Sequence, residues 1–303
     1  MNSYEKSKIL RYLSVWSRAV RIRFLLASII AVVNGFAISI WKNNPFDPVY
    51  AILTICGVVC LHTSVDLLND YWDYKRGIDT TTTRTKFSGG TGVLPEKLLT
   101  PKSVYITGIL FLILGSIIGV YFVTVRGIVI LLILLFATLS IYFYSTNIVN
   151  AGLGEVFVTV KGAMIVLGSF YVQTGIIDPT AFFVGIIIGL LSACVLLVNS
   201  FPDYEADKNK GRRTLSVMLG KDRASKVLPF LITLIYGMII LGVALKLIPY
   251  YALFSLLSLP LSIRAVIRLI KNHDNLNELV PSMADTVLYS RIIGAVTAAS
   301  FLL

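Results

Sequence analysis

VYAILTICGVVCLHTSVDLLNDYWDYKRGID, Val49 to Asp79, holds no Asp, Glu, Lys or Arg before Asp66 and then carries Asp66, Asp70, Asp73 and Asp79 near its end. A bilayer core of ~30 Å needs roughly 20 apolar residues in a helix. The stretch therefore predicts a membrane helix over about residues 49 to 72, with its acids at one rim.

Eight further apolar runs repeat the first half of that pattern. Together they predict nine spans, at about residues 24–41, 49–72, 103–124, 127–145, 152–174, 180–201, 227–245, 249–269 and 284–303. Composition agrees: of 303 residues 56% are hydrophobic and 14% charged, against about 25% charged in a soluble domain, and mean hydropathy is +0.81. A single membrane-embedded domain over residues 1–303 is the simplest reading. The polar stretch up to Arg23 precedes a first span rather than a cleaved leader, because many spans follow it.

The net charge of +11 does not indicate nucleic acid, since the basic residues lie between apolar runs rather than along a soluble face. With a cytoplasmic N-terminus, Lys6, Lys8, Arg11, Arg18, Arg21, Arg23, the cations from Lys75 to Lys102, those from Lys208 to Lys226, and Arg264, Arg268, Lys271 and Arg291 all fall on the cytoplasmic side. Only Lys42, Arg126 and Lys246 fall opposite. This bias obeys the positive-inside rule and tests the span count, because one miscounted helix would exchange the sides of everything after it. The C-terminus is then expected on the far side. Cys56, Cys60 and Cys194 lie within apolar runs and read as small core residues.

Two connections, about 28 residues after the second span and about 25 after the sixth, are long enough to suggest function. Both are expected on the cytoplasmic side. The connection from Lys271 to Pro281 reads as a solvated loop. The second span ends in Asn69-Asp70-Tyr71-Trp72-Asp73-Tyr74, and the sixth in Asn199-Ser200-Phe201-Pro202-Asp203-Tyr204, so Asn-x-x-x-Asp-Tyr occurs twice. Residues four apart share a helix face, which groups Asn69 with Asp73, and Asn199 with Asp203 and Asp207. Capping and pairing with nearby cations would explain one such cluster. Two in the same phase, facing one cavity at membrane depth, need added cations to offset their repulsion and desolvation. Mg²⁺ fits, because it takes oxygen ligands and shares them with phosphate oxygens.

The first motif, with Lys75-x-Gly77-x-Asp79, and the second, Asp203-x-x-x-Asp207 followed by Lys208 to Leu215, together resemble the paired motifs of the UbiA superfamily of intramembrane prenyltransferases. Arg84 to Gly90 and Gly152 to Phe157 look most like the branch that prenylates dihydroxynaphthoate toward menaquinone. The resemblance implies an all-α ring of nine transmembrane helices around a central cavity, capped on the cytoplasmic side by the two long loops. It implies transfer of an isoprenyl group from a polyprenyl diphosphate to a small aromatic acceptor, with two Mg²⁺ ions held by Asn69, Asp73, Asp79, Asp203 and Asp207. The family pattern puts a third acid four residues after Asp73, where this chain has Gly77. Asp79 is then expected to reach the metal from the loop.

The remaining site residues follow from position. Asp66, one turn deeper than Asn69, is placed to take the acceptor's proton, with Asp73, Asp203 and Lys161 as further catalytic candidates. A charge inside a span, as at Lys161, is costly and usually functional or paired. Asn69, Arg84, Lys86, Asn199, Lys208 and Arg212 are expected to bind substrate, Arg21 to do so because the resemblance implies a basic residue there beside the site, and Tyr142 to face the carbocation. Tyr144 and Tyr171 read as interfacial belt residues, His62 and His273 as structural, and Ser88 to Gly92 as a flexible lid. Rival readings are a family member with a glycerol phosphate ether lipid, 4-hydroxybenzoate or haem as acceptor, and a cation-coupled transporter. A CDP-alcohol phosphotransferase would need an Asp-Gly-x-x-Ala-Arg start that is absent. No obligate protein partner is evident.

Overall fold

The computed structural model describes residues 3–144 and 148–303 and, near the start, the side chains of Glu5 and from Ser7 onward. The predicted end of the fourth span at residue 145 and the side chain of Lys6 lie outside the described residues. Among these residues every regular element is a helix. They are α1 (Ser3–Ala19), α2 (Ile22–Trp41), α3 (Pro48–Lys75), α4 (Pro101–Arg126), α5 (Ile128–Phe143), α6 (Gly154–Thr174), α7 (Pro179–Asn199), α8 (Tyr204–Asn209), α9 (Leu215–Leu219), α10 (Lys221–Ser225), α11 (Val227–Ala244), α12 (Leu259–Asn272) and α13 (Leu276–Ser300).

Three long helices start alike. Asp47, Thr100 and Asp178 are the N-caps of α3, α4 and α7, their side chains accept from backbone N–H groups of the first turn, and proline follows each. The cap fills orphan donors, and proline is preset for the first helical position. Among the described residues seven helices are long and apolar enough to cross a membrane. They make the chain an integral membrane protein. α5, with 16 residues, is shorter, and α13, with 25, carries Asp285 and Arg291 within its length.

Packing runs from neighbour to neighbour: α3 on α4, α4 on α5, α5 on α6, α6 on α7, α7 on α11, α12 on α13, α13 on α2 and α2 on α3. α2 also packs on α6 and α7. Small residues permit the close approaches, as expected where lipid supplies no hydrophobic force between helices. A Cβ on Gly35 would sit 2.5 Å from the Val166 carbonyl, and one on Gly162 would sit 2.5 Å from Gly189 Cα. By contrast α4 is the outermost of the long helices, 17% of its apolar window being buried against 67% for α7.

The polar start folds as a helix, α1, which turns sharply into α2 at Arg21 with φ of 47°. The eighth predicted span is present as one helical run, Tyr250–Asn272, in which a 3-10 segment, Tyr250–Ser258, continues into α12. One local expectation is corrected. The loop expected from Lys271 to Pro281 is mostly helical, because Asn275 caps α13 by accepting from Asn277 N–H and the helix runs through Pro281.

Candidate active site

A cavity of about 370 Å³ lies among α2 to α7 and the loops after α3 and α7. Its walls are apolar over most of their area. One end is polar and collects Arg21, Asp66, Asn69, Asp73, Asp79, Asn199, Asp203, Asp207 and Arg212, with Lys161 and Tyr144 beside them.

The end of α3 shows how the first cluster is aimed. Gly77 adopts φ of +73°, and Ile78 N–H donates to the Asp73 carbonyl at 2.9 Å. A glycine in this left-handed conformation ends helices without the steric cost a side chain would bring. The chain then turns back, Ile78 is buried, and Asp79 reaches the cavity that Asp73 lines. Gly90, at φ of +68°, lies so close to the Asp79 carboxylate that a Cβ there would collide with it. The extra two residues thus return an acid to the place where the simple spacing has Gly77.

The two motifs meet across the cavity mouth. Asn69 Nδ2 donates to Asp73 Oδ2 at 2.9 Å, and Arg212 Nη1 donates to the same oxygen at 2.7 Å. Arg212 also stands 3.9 Å from Asp207 Oδ1, so one guanidinium bridges the acids of both motifs. The Thr82 hydroxyl donates to Asp203 Oδ1, and Gly89 N–H donates to Asp203 Oδ2 at 3.2 Å. The first loop therefore reaches the second motif directly.

Electrostatics follow from burial. Burial pushes Asp207 up to about 7 despite Arg212, with help from Asp203 and Asp73. Burial also raises Asp79, reinforced by Asp73 and Asp70, and raises Asp203 against its Thr82 hydrogen bond. Burial works against the Arg212 charge, but Asp73 and Asp207 outweigh it and hold the guanidinium above its ordinary value. Carboxylates held in this way favour a proton or a cation.

Whether the donors suit Mg²⁺ can be judged from their atoms. Asp73 Oδ1, Asp207 Oδ1 and Asn199 Oδ1 are buried without a hydrogen-bond partner, and all three residues line the cavity. Among the described residues no three His, Cys, Asp or Glu groups converge tightly enough to enclose an ion by themselves. Mg²⁺ ordinarily takes one or two carboxylates, substrate phosphate oxygens and waters. An all-oxygen set with orphaned acceptors fits that habit.

Several expected residues lie elsewhere. Arg84 pairs with Glu96 at 2.5 Å, while Lys86 and Lys208 are exposed, so none of the three lines the cavity. Tyr142 is corrected: it is 42% exposed and faces outward, whereas Tyr144, expected in the belt, lines the cavity. Two residues apart on a helix are roughly 200° apart around its axis, so one ring faces in when the other faces out. Tyr171 is no belt residue either, being buried with its hydroxyl donating to the Arg126 carbonyl at 3.3 Å. The Ser88 to Gly92 stretch is anchored rather than free, through Gly89 on Asp203 and Thr91 on Asp70.

Three contributions were not expected from the sequence. Asp70 does not face the cavity but ties Arg21, at 2.6 Å, to Thr91. Thr82 holds Asp203. His62, expected to be structural, lines the cavity with Nδ1 2.7 Å from Ser28 Oγ and Nε2 3.7 Å from Asp66 Oδ2. Its signal was present, because His62 and Asp66 are four apart on α3.

Residues 28–280 match the UbiA prenyltransferase family. The 1,4-dihydroxy-2-naphthoate octaprenyltransferase of Bacillus subtilis is 26% identical over 264 residues, 84% of this chain and 82% of that protein. The Escherichia coli protein of the same name is 30% identical over 220 residues, 70% of each chain. Among solved structures, a UbiA homologue from Archaeoglobus fulgidus bound to DMAPP and Mg²⁺ superposes with a TM-score of 0.62 at 18% identity, covering 94% of this chain and 99% of its own. A digeranylgeranylglyceryl phosphate synthase gives 0.64 at 18% identity, covering 96% and 99%. With the family match spanning most of the helices and both acid motifs, this chain is a member of the UbiA prenyltransferase family and an enzyme that transfers prenyl groups.

Proposed function

We propose that the enzyme transfers an isoprenyl group from an allylic polyprenyl diphosphate to a lipophilic, dihydroxynaphthoate-like aromatic acceptor. The observation that carries this reading is the meeting of two acid clusters from separate helix ends over one apolar cavity, with Arg212 between them. The relatives named for dihydroxynaphthoate transfer support the acceptor class.

In this reading nine helices, α5 and α13 included, cross the membrane, six of them, α2 to α7, wall the cavity, and the loops after α3 and α7 form a cap on the cytoplasmic side. The whole chain acts as one domain. Asn69, Asp73 and Asp79 would hold one Mg²⁺ and Asp203 and Asp207 a second, with Asn199 beside them. When bound, Mg²⁺ supplies positive charge against the departing diphosphate.

The chain's own residues do the rest. Arg212 and Arg21 line the mouth and stabilise the negative charge that grows as the C–O bond breaks. Tyr144 offers its π face to the allyl cation. Phe122, Ile133, Leu134, Phe136 and Val172 line the apolar part that takes the tail and excludes the water that would quench the cation. Lys161, which has no ion pair among the described residues, lines the cavity and pairs the acceptor's carboxylate.

The test is to incubate purified protein with Mg²⁺, geranylgeranyl diphosphate and a panel of acceptors, and to identify products by mass spectrometry. The panel holds dihydroxynaphthoate, 4-hydroxybenzoate, a glycerol phosphate ether lipid and haem. Prenylated dihydroxynaphthoate supports the reading; prenylation of only the ether lipid or haem refutes its acceptor class.

A further inference from the structure

The deep polar group of the cavity contains one more piece of chemistry. His62 comes from α3 and Ser28 from α2, and both line the cavity with Asp66. Each nitrogen of the His62 ring faces a partner, Nδ1 at 2.7 Å from Ser28 Oγ and Nε2 at 3.7 Å from Asp66 Oδ2. The Ser28 contact orients the ring, and its Nε2 is left pointing at Asp66. Asp66 Oδ2 is buried and accepts no hydrogen bond, a costly state inside a membrane helix bundle unless a ligand supplies the donor. The 3.7 Å gap is longer than a hydrogen bond, as is common before substrate tightens a site.

We propose that Asp66 takes the proton of an acceptor hydroxyl group and that Ser28 and His62 are positioning residues that aim its carboxylate. This rests on the prenyl-transfer reading above and gives the acceptor's ring hydroxyl a partner in the cavity. Asp66 lies seven residues before Asp73 on one helix, roughly 10 Å along its axis. That span lets a bicyclic acceptor touch Asp66 with its hydroxyl while a ring carbon meets the carbon that bore the diphosphate.

The step balances as follows. The hydroxyl O–H bond breaks and its proton goes to the Asp66 carboxylate, leaving a phenolate. The allylic C–O bond breaks with its electron pair leaving on the diphosphate, and the phenolate's ring carbon forms the new C–C bond to the allyl cation. That ring carbon then loses its hydrogen as a proton to the departing diphosphate, or a carboxyl group as CO₂. Asp66 returns its proton to the product's oxygen. The charged and titratable groups facing Asp66 are Arg21 from the α1–α2 turn, His62 and Asp70 from α3, Tyr144 from the end of α5 and Lys161 from α6.

The experiment compares Asp66→Asn, His62→Gln and His62→Ala in the full-length enzyme, with Mg²⁺ and saturating geranylgeranyl diphosphate. Two acceptors are used: dihydroxynaphthoate and a fluorinated analogue whose hydroxyl is already ionised at the assay pH. Asp66→Asn is expected to lower kcat on the first acceptor by about 10²–10³ and far less on the pre-ionised one, with KM for the diphosphate unchanged. His62→Ala should lower kcat about tenfold and move the acid limb of its pH profile. His62→Gln, which keeps a donor toward Asp66, should restore most of the rate. Equal losses on both acceptors, or wild-type kinetics in Asp66→Asn, would overturn the relay while leaving prenyl transfer standing. A wild-type enzyme that prenylates only non-aromatic acceptors would instead overturn the reading on which the relay rests.

Discussion

Arg212 occupies the position of a cation between the two motifs, and removing it gives the most direct probe of the site. Among the described residues it is the only ion-pair partner of Asp73 and of Asp207, and Asp73 and Arg212 side chains are 5% and 13% exposed. Arg212→Gln leaves both acids in place without their counter-charge. Breaking a buried pair from one side costs about 3–5 kcal/mol. Asp73 keeps its Asn69 donor and lines an open cavity, so the lower end, about 3 kcal/mol, is the better figure. At about 1.4 kcal/mol per factor of ten, up to a hundredfold of the lost stabilisation is available to a divalent ion that replaces the guanidinium. The variant should therefore be less stable without metal, bind Mg²⁺ more tightly, and bind the diphosphate more weakly. Calorimetric Mg²⁺ titration of detergent-purified protein, with thermal unfolding at each Mg²⁺ concentration, measures the first two. Arg212→Lys, which keeps the charge, should stay close to wild type in Mg²⁺ affinity. Mg²⁺ affinity that is unchanged or weaker in Arg212→Gln would refute the idea that guanidinium and metal serve the same acids.

Asp73→Ala and Asp203→Ala should each abolish turnover in a folded protein, and Asp79→Ala should raise the Mg²⁺ requirement by less than Asp73→Ala, since it acts from a loop; Mg²⁺-dependent turnover of the three variants tests this ranking. Asp207 has a folded value of about 7 against an ordinary 3.8. A carboxyl raised on folding contributes stability that is full below its unfolded value and is lost as pH climbs, so metal-free protein should lose stability between about pH 4 and 7, and a Tm series at fixed ionic strength that rises across that window would contradict the assignment. A Cβ on Gly189 would strike the Thr159 carbonyl across the α6–α7 contact. Gly189→Ala should cost about 1–3 kcal/mol of stability with kcat per folded molecule near wild type, measured by unfolding and by product formation.

The transmembrane character and both acid motifs were legible because they rest on local signals: apolar runs of bilayer length, and i,i+4 spacing at helix ends. Asp79 was legible too, since a glycine after a helical run predicts the turn that Gly77 makes. What local signals could not supply was facing. Tyr142 and Tyr144 look alike in the sequence, and only the packing of α5 on α4 and α6 decides which one turns inward. Arg84 looked like a diphosphate ligand among glycines, but Glu96, twelve residues away, claims it. α1 has no such local signature, because its helix has exposed apolar and polar residues alike and no bilayer-length run.

The glycine contacts among α2, α6 and α7 also bear on how the protein can adapt. Where Gly35 rests on Val166 and Gly162 on Gly189, main chain meets main chain, and there is no cushion of side chains to rearrange. That side of the molecule behaves as a keel. Accommodation of a bulkier or longer hydrocarbon falls to the opposite wall, where Leu134 and Phe136 of α5 and Ile118 of α4 present rotatable side chains to the interior. Substitutions that reshape the cavity without disturbing the fold have their freedom there, whereas a side chain at Gly35, Gly162 or Gly189 would force the α2–α6–α7 seam apart.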